Sequence, residues 1–365
     1  MAGLTVLDHR LIYINPQPQL VSEYVAIPFL CALEDDILVC TCRHGTARES
    51  ADGLVKVHRS LDGGLNWECA GTICEKIEGV EGAQWPGGLT RMPDGELIGV
   101  VRVCRQIGVD STIFVSRSHD GGQNWSTPEW CQAEPCGSVG GLGPITGLAD
   151  GTLLSTSEGK GDGDRVPKGS FANLMSRSLN RGQTWEPVEA VNISQNPFFF
   201  DLAMTQLKDQ RLLAAYWTHD MTTDRGINVH LSTSSDLGRT WTEPYDSGFW
   251  GQRTELLTLQ DGRVLAVTNH RREPFGIRAI VSGSDGTKFR EEDHLEIWGG
   301  EPARVRTAPV LAGKQDAEQG ALHSWHHFTF GVPAAAQLSD GTIVVAYYVT
   351  EESVTYLRCC RLALA

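Results

Sequence analysis

The chain has 365 residues, of which 41% are hydrophobic and 21% charged; these proportions belong to a folded chain and argue against wholesale disorder. Thirty-one Lys and Arg against forty-five Asp and Glu give a net charge of −14, a field that repels phosphate backbones and excludes nucleic acid as an expected partner. No membrane span is expected, because no long apolar run occurs, and the first ten residues do not read as a signal peptide. Forty glycines and ten tryptophans imply many tight turns and many aromatic plugs. The ten cysteines form no CxxC pair at zinc-site spacing, and several sit inside apolar runs as small core residues. Free thiols in a reducing compartment follow, with the cytoplasm as the expected address.

In chain order the sequence repeats one unit, two apolar runs joined by a tight turn. The unit occupies 28–45, 87–103, 145–159, 203–220, 256–271 and 334–352, with turns opening at Asp35, Asp94, Asp150, Asp209, Asp261 and Asp340. Asp-Gly between alternating apolar runs is the signature of a two-residue hairpin whose turn residues both tolerate positive φ. Six hairpins are predicted. After each of the first five comes a second element, patterned S-x-D-x-G-x-x-W. It reads in full at 60–67 and 118–125, with Asn for Asp at 178–185, again with Asp at 234–241, and degenerates at 282–289 to end in Phe289. The Asp accepts hydrogen bonds from turn N–H groups, the Gly supplies the unusual φ, and the ring folds back as a plug.

These elements are Asp-boxes, the bacterial neuraminidase repeat, and through them the chain resembles the sialidase superfamily over roughly residues 20 to 362. The resemblance implies an all-β fold: one six-bladed β-propeller domain spanning 1–365, with four antiparallel strands per blade. Radial repetition also leaves few exposed strand edges. The last blade has a hairpin and one further strand but no box. An N-terminal strand around Leu4–Ile14 is therefore expected to complete it and close the ring.

In such a ring the starts of the innermost strands and the ends of their partners meet around one mouth. The hairpin flanks there carry Arg43, His44, Arg102, Arg105, Glu158, His219, His270 and Arg271 at the exits, and Trp85, Asp201, Arg253, Glu255 and His326 at the entries. Clustered arginines hold carboxylates through paired hydrogen bonds. The resemblance further implies three carboxylate-binding arginines, an acid/base Asp and a Tyr–Glu nucleophile. The chain matches this in part. Ala26-Ile27-Pro28 lacks the first arginine, Asp52 and then Glu49 are the acid/base candidates, and Arg271 matches the Asn-x-Arg hairpin ending. Glu255 is displaced by about two positions, and Phe330-Gly331-Val332-Pro333 replaces the expected tyrosine.

The expected catalytic set is Asp52, Glu49, His270, His219 and Glu255; the expected substrate-binding set is Arg43, His44, Trp85, Arg105, Asp201, Arg253, Arg271 and His326. No cofactor or metal is expected, since His219, His270 and His326 lack metal-site spacing. The leading function is a glycoside hydrolase for an acidic or unusual sugar, poor on sialic acid itself, with Trp85 as a stacking platform. Alternatives are a non-catalytic propeller binding a glycan or protein, and a lyase or isomerase using histidine. A small-molecule or oligosaccharide substrate is the expected partner, and a homo-oligomer is left open.

Overall fold

A computed structural model of the chain describes residues 3–106, 110–131, 141–161, 163–299 and 329–364. The strands form six four-stranded antiparallel sheets. Blade 1 comprises Tyr24–Ala32, Leu38–Gly45, Leu54–Ser60 and Glu68–Thr72, and blade 2 comprises Ala83–Arg91, Leu97–Gln106, Asp110–Ser118 and Glu129–Trp130. Blade 3 is Gly141–Gly147, Leu153–Lys160, Phe171–Ser178 and Glu189–Ser194; blade 4 is Phe198–Gln206, Leu212–Asp220, Arg225–Ser234 and Tyr245–Trp250. Blade 5 is Thr254–Thr258, Val264–His270, Gly276–Val281 and Leu295–Gly299. Blade 6 takes Phe330–Gln337, Ile343–Glu351 and Val354–Leu364, and its outermost strand is Leu4–Ile14 from the N-terminus, paired Leu4 to Leu364 and Ile14 to Tyr356. The expected ring closure is present.

The innermost strands touch their neighbours all the way round, blade 6 against blade 1 included. Each second strand is covered on both faces, so Leu38–Gly45 and Val264–His270 are buried throughout and read as near-continuous apolar runs. The core is accordingly divided into six wedges, one between each pair of adjacent blades. The wedge between blades 6 and 1, for example, packs Leu38, Cys40 and Cys42 against Val344, Ala346, Leu357 and Cys359. Cys40, Cys42, Cys359 and Cys360 in these wedges are free thiols.

The hairpin turns differ from the expected two-residue form. In five of six only the second residue is left-handed: Gly95, Gly151, Gln210, Gly262 and Gly341, with φ between 72° and 91°. At blade 2 the Gly95 N–H returns to the Met92 carbonyl at 2.9 Å and the Met92 N–H reaches Glu96 O at 2.8 Å. That is a β-turn followed by one left-handed residue, which suits the strand twist as well as the primed turns do. The aspartate holds the turn from its side chain: Thr152 N–H donates to Asp150 at 2.9 Å and Thr342 N–H to Asp340 at 2.8 Å. Asp35 is the exception; both it and Asp36 are left-handed.

Candidate active site

Pairing of Tyr24 with Gly45, Phe198 with His219 and Phe330 with Val349 fixes which hairpin ends lie together at the mouth. Five of the six innermost strands carry a bulge near this end, among them Ala26–Phe29, Phe200–Ala203 and Gly331–Ala334. Ile27, Asp201 and Val332 adopt φ of 57°, 51° and 45° within them. Bulges turn side chains off the strand's alternation, and here they set what faces the axis.

One half of the mouth is built from tyrosine and arginine. Tyr24 of blade 1 and Tyr348 of blade 6 meet edge to face at 5.9 Å. Arg48, in the loop after blade 1's second strand, donates from Nη1 to both hydroxyls at 3.3 and 3.5 Å. Arg271 of blade 5 is 4% exposed, and burial lowers its pKa to about 10. It donates from Nε to Phe330 O at 3.1 Å, from Nη2 to the same carbonyl, and from Nη1 to Gln252 Oε1 at 2.7 Å. A Cβ on Gly331 would collide with Arg271 and Asn269, so this close approach requires glycine. Burial alone would raise the Tyr348 hydroxyl. The Arg48 and Arg271 charges, with hydrogen bonds to Tyr24 and Arg48, outweigh burial and hold it below the ordinary tyrosine value. Tyr24, partly buried opposite it, is pushed well above by desolvation and then by the charge of Tyr348.

The other half is carboxylic. Glu158, at the end of blade 3's second strand, accepts the Asp201 N–H on Oε2 at 2.7 Å. Burial, then the charge of Asp201, pushes Glu158 up to about 8, against the pull of that N–H, Arg253 and Arg102. Arg253 Nη1 stands 3.9 Å from Asp201 Oδ1, and its guanidinium lies 5.9 Å from the Phe29 ring. Burial takes Glu255 up to about 7, tempered by Arg253. Asp201 also acts on Arg271, so the two halves share one electrostatic neighbourhood to which all six blades contribute.

Of the residues expected at the mouth, Arg102, Glu158, Asp201, Arg253, Glu255 and Arg271 are brought together there. Arg43 is fully buried and donates to the carbonyls of Arg48, Ser50 and Gln84 at 3.0, 2.7 and 2.7 Å. It pins the 46–53 loop, and a Cβ on Gly53 would overlap its guanidinium. Trp85, 4% exposed, lies beneath Arg43 at 4.2 Å, which covers the ring expected to stack on sugar. Asp52 accepts the Thr46 N–H at 3.1 Å. Hydrogen bonding by Ser50 and then Thr46 holds its carboxyl below the usual range. Glu49 is exposed on the same loop.

The three described histidines of the expected set are buried. His44 faces Glu23 and His58. His219 Nε2 meets Asp224 at 2.9 Å. His270 Nδ1 meets Pro274 O at 2.8 Å, its ring edge-on to Trp250, and burial beside Arg278 and Arg272 lowers it to about 4. His326 and the side chain of Arg105 lie outside the described residues. Sequence reasoning missed Tyr24, Arg48 and Tyr348. Tyr348 pairs directly with Gly331, within the segment where a tyrosine is expected; the phenol arrives from the neighbouring strand.

Residues 35–345 match the family described as the BNR repeat-like domain. No curated protein sequence matches the chain. Among solved structures, a protein of unknown function from Dyadobacter fermentans is 19% identical, with TM-score 0.75 and all of both chains covered. The α-L-arabinanase of Penicillium chrysogenum, solved with arabinobiose, is 15% identical with TM-score 0.70, covering 98% of each chain. The NanB sialidase of Streptococcus pneumoniae is 13% identical with TM-score 0.65, covering 98% of this chain and 71% of its own. At these identities the likeness is one of fold.

Proposed function

The chain belongs to the BNR repeat-like domain family, and from that premise we propose that it is a glycoside hydrolase taking a carboxylate-bearing sugar into the central mouth. The observation that carries this reading is Glu158, pushed up to about 8 beside the Asp201 carboxylate. A carboxyl still protonated at neutral pH donates to a departing glycosidic oxygen, and a neighbouring carboxylate serves the attacking water or the developing cation. Asp201 has a side chain 36% exposed, within reach of water. Among the described residues the mouth brings the guanidiniums of Arg48, Arg102, Arg253 and Arg271 near the carboxyls of Glu158, Asp201 and Glu255. Guanidiniums favour an anionic sugar, with Arg48 and the two tyrosines supplying donors to its carboxylate.

Histidine-based lyase chemistry draws no support from His44, His219 or His270, all buried against protein partners. A panel of glycosides tests the reading: a glucuronide and a sialoside against a neutral arabinoside, with products identified by NMR. Cleavage of an acidic member and not of the arabinoside is expected. Binding without cleavage would make the protein a glycan-binding propeller, and an unsaturated product absorbing in the ultraviolet would make it a lyase.

A further inference from the structure

A second cluster of chemistry-bearing side chains lies away from the mouth, where the closing strand of blade 6 meets blade 1. Cys42 and His44 lie two residues apart on the second strand of blade 1 and His58 on the third; Cys42 packs in the wedge with blade 6, and both imidazoles lie against Tyr13 of its closing strand. They are 0%, 3% and 0% exposed. One donor atom from each lies within 4.8 Å of the others, the only such group of three found among the described residues.

The two imidazoles confront each other through Nε2 at 3.0 Å. His44 Nδ1 lies 2.8 Å from a Glu23 carboxylate oxygen, whose second oxygen accepts the Tyr13 hydroxyl at 2.6 Å. That carboxylate fixes the His44 proton on Nδ1 and leaves a lone pair on Nε2 aimed at His58. In either neutral tautomer His58 Nδ1 remains buried without a partner, so protein groups alone do not satisfy the pair. A carboxylate holding the far nitrogen of an imidazole is the arrangement that orients a metal-binding histidine.

We propose that Cys42, His44 and His58 bind a borderline-soft divalent cation, Zn2+ being the best fit, with Glu23 as the positioning residue for His44. Tetrahedral zinc with the usual bond lengths separates two nitrogen ligands by about 3.3 Å and a nitrogen and a sulfur by about 3.6 Å. The two nitrogens, 3.0 Å apart, are already near that separation, and the sulfur, within 4.8 Å of both, closes in by up to about 1.2 Å on binding. One thiolate and two imidazoles select zinc over the oxygen-loving Mg2+ and Ca2+. Three protein ligands leave a fourth position for water or another donor. His44, Glu23, Tyr13 and Lys56 line a cleft of about 380 Å3, which gives an entry path. Lys56 lies 3.8 Å from Glu23, so its ammonium pairs with the carboxylate. Tyr13 of the closing strand covers both imidazoles at 4.7 and 5.4 Å, so the bound ion, held by blade 1, would lie beside the seam at which the ring closes.

The test is a Co2+ titration of the full chain after chelator treatment, followed in the near ultraviolet and visible, with Zn2+ competition and Tm as second readouts. One equivalent should give thiolate-to-cobalt charge transfer and the strong visible bands of a tetrahedral ion. Zn2+ should displace it and raise Tm. Cys42→Ser should abolish the thiolate band and the Tm rise. Glu23→Gln should keep the band and weaken affinity roughly 10- to 100-fold; it carries the test if Cys42→Ser fails to fold. No charge transfer in the folded wild type would overturn the proposal. So would a band that survives Cys42→Ser, or unchanged affinity in Glu23→Gln.

Discussion

The rim and the mouth of this propeller are built on opposite principles. At the rim one solution is copied. Gly64 N–H donates to Ser60 Oγ at 2.8 Å, and the equivalent bonds at Gly122, Gly182 and Gly238 measure 2.9, 2.7 and 2.9 Å. Trp67, Trp125 and Trp241 each donate Nε1 to the box glycine's carbonyl at 3.0–3.2 Å. At the mouth nothing repeats: blade 1 contributes Tyr24 and Arg48, blade 3 Glu158, blade 4 Asp201, blade 5 Arg253 and Arg271, blade 6 Tyr348. A rim turn is self-contained, satisfied within eight residues, and loses little if a neighbour changes. A mouth side chain has its properties only because others surround it.

The sharpest way to break this contrast is Glu158→Gln. It removes the proposed proton donor while preserving shape, and turnover on an acidic glycoside should fall about 10²- to 10⁴-fold, with the far-ultraviolet circular dichroism unchanged. Wild-type activity should decline as pH rises through about 8, where Glu158 loses its proton. Stability follows the same sign. A carboxyl whose folded pKa is raised contributes fully below about 4.3, its unfolded value, and that contribution is lost as pH climbs through about 8. The wild type should therefore lose Tm between those limits, and Glu158→Gln should lose less.

Next in size is the difference between arginines. Arg43→Met leaves three carbonyls without their donor and should destabilise the fold by about 3 kcal/mol or more in urea titration, at about 1–3 kcal/mol for each buried group left unsatisfied. Arg48→Met should instead raise KM for an acidic glycoside about tenfold or more, the worth of a charged hydrogen bond. If Arg43→Met were harmless and Arg48→Met unfolded the protein, the assignment of one to the scaffold and the other to the mouth would be reversed. The smallest effect belongs to the rim. Asp62→Ala removes acceptors for the Asn66 N–H and the Ser60 hydroxyl, at 2.9 and 2.8 Å. It should cost about 1 kcal/mol and leave activity untouched.

The same contrast explains what could be read from the chain. Hairpins and boxes are written in contiguous residues, so their number, phase and blade assignment were legible, as was closure by Leu4–Ile14, whose missing counterpart in the last blade is visible by count. The mouth was legible only in part. Arg271 and Asp201 lie on predictable hairpin flanks, but Arg48 touches Tyr348 300 residues away, and nothing local marks either. Arg43 and Trp85 sit at similar flanks and look alike in sequence. The 46–53 loop folds back to bury the first, which in turn covers the second. The bulges that turn Asp201 inward, and the Tyr348–Gly331 pairing that brings a phenol across from the next strand, are properties of register, which residue types alone do not specify.

Proton donation by Glu158 is tested by the leaving-group dependence of hydrolysis. Wild type and Glu158→Gln are compared on one acidic sugar carrying either a dinitrophenyl or a simple alkyl group. A dinitrophenolate departs without protonation, whereas an alkoxide needs a proton. Glu158→Gln should nearly retain the first activity and lose the second by at least about 100-fold. An equal loss on both substrates, or none on either, would contradict it.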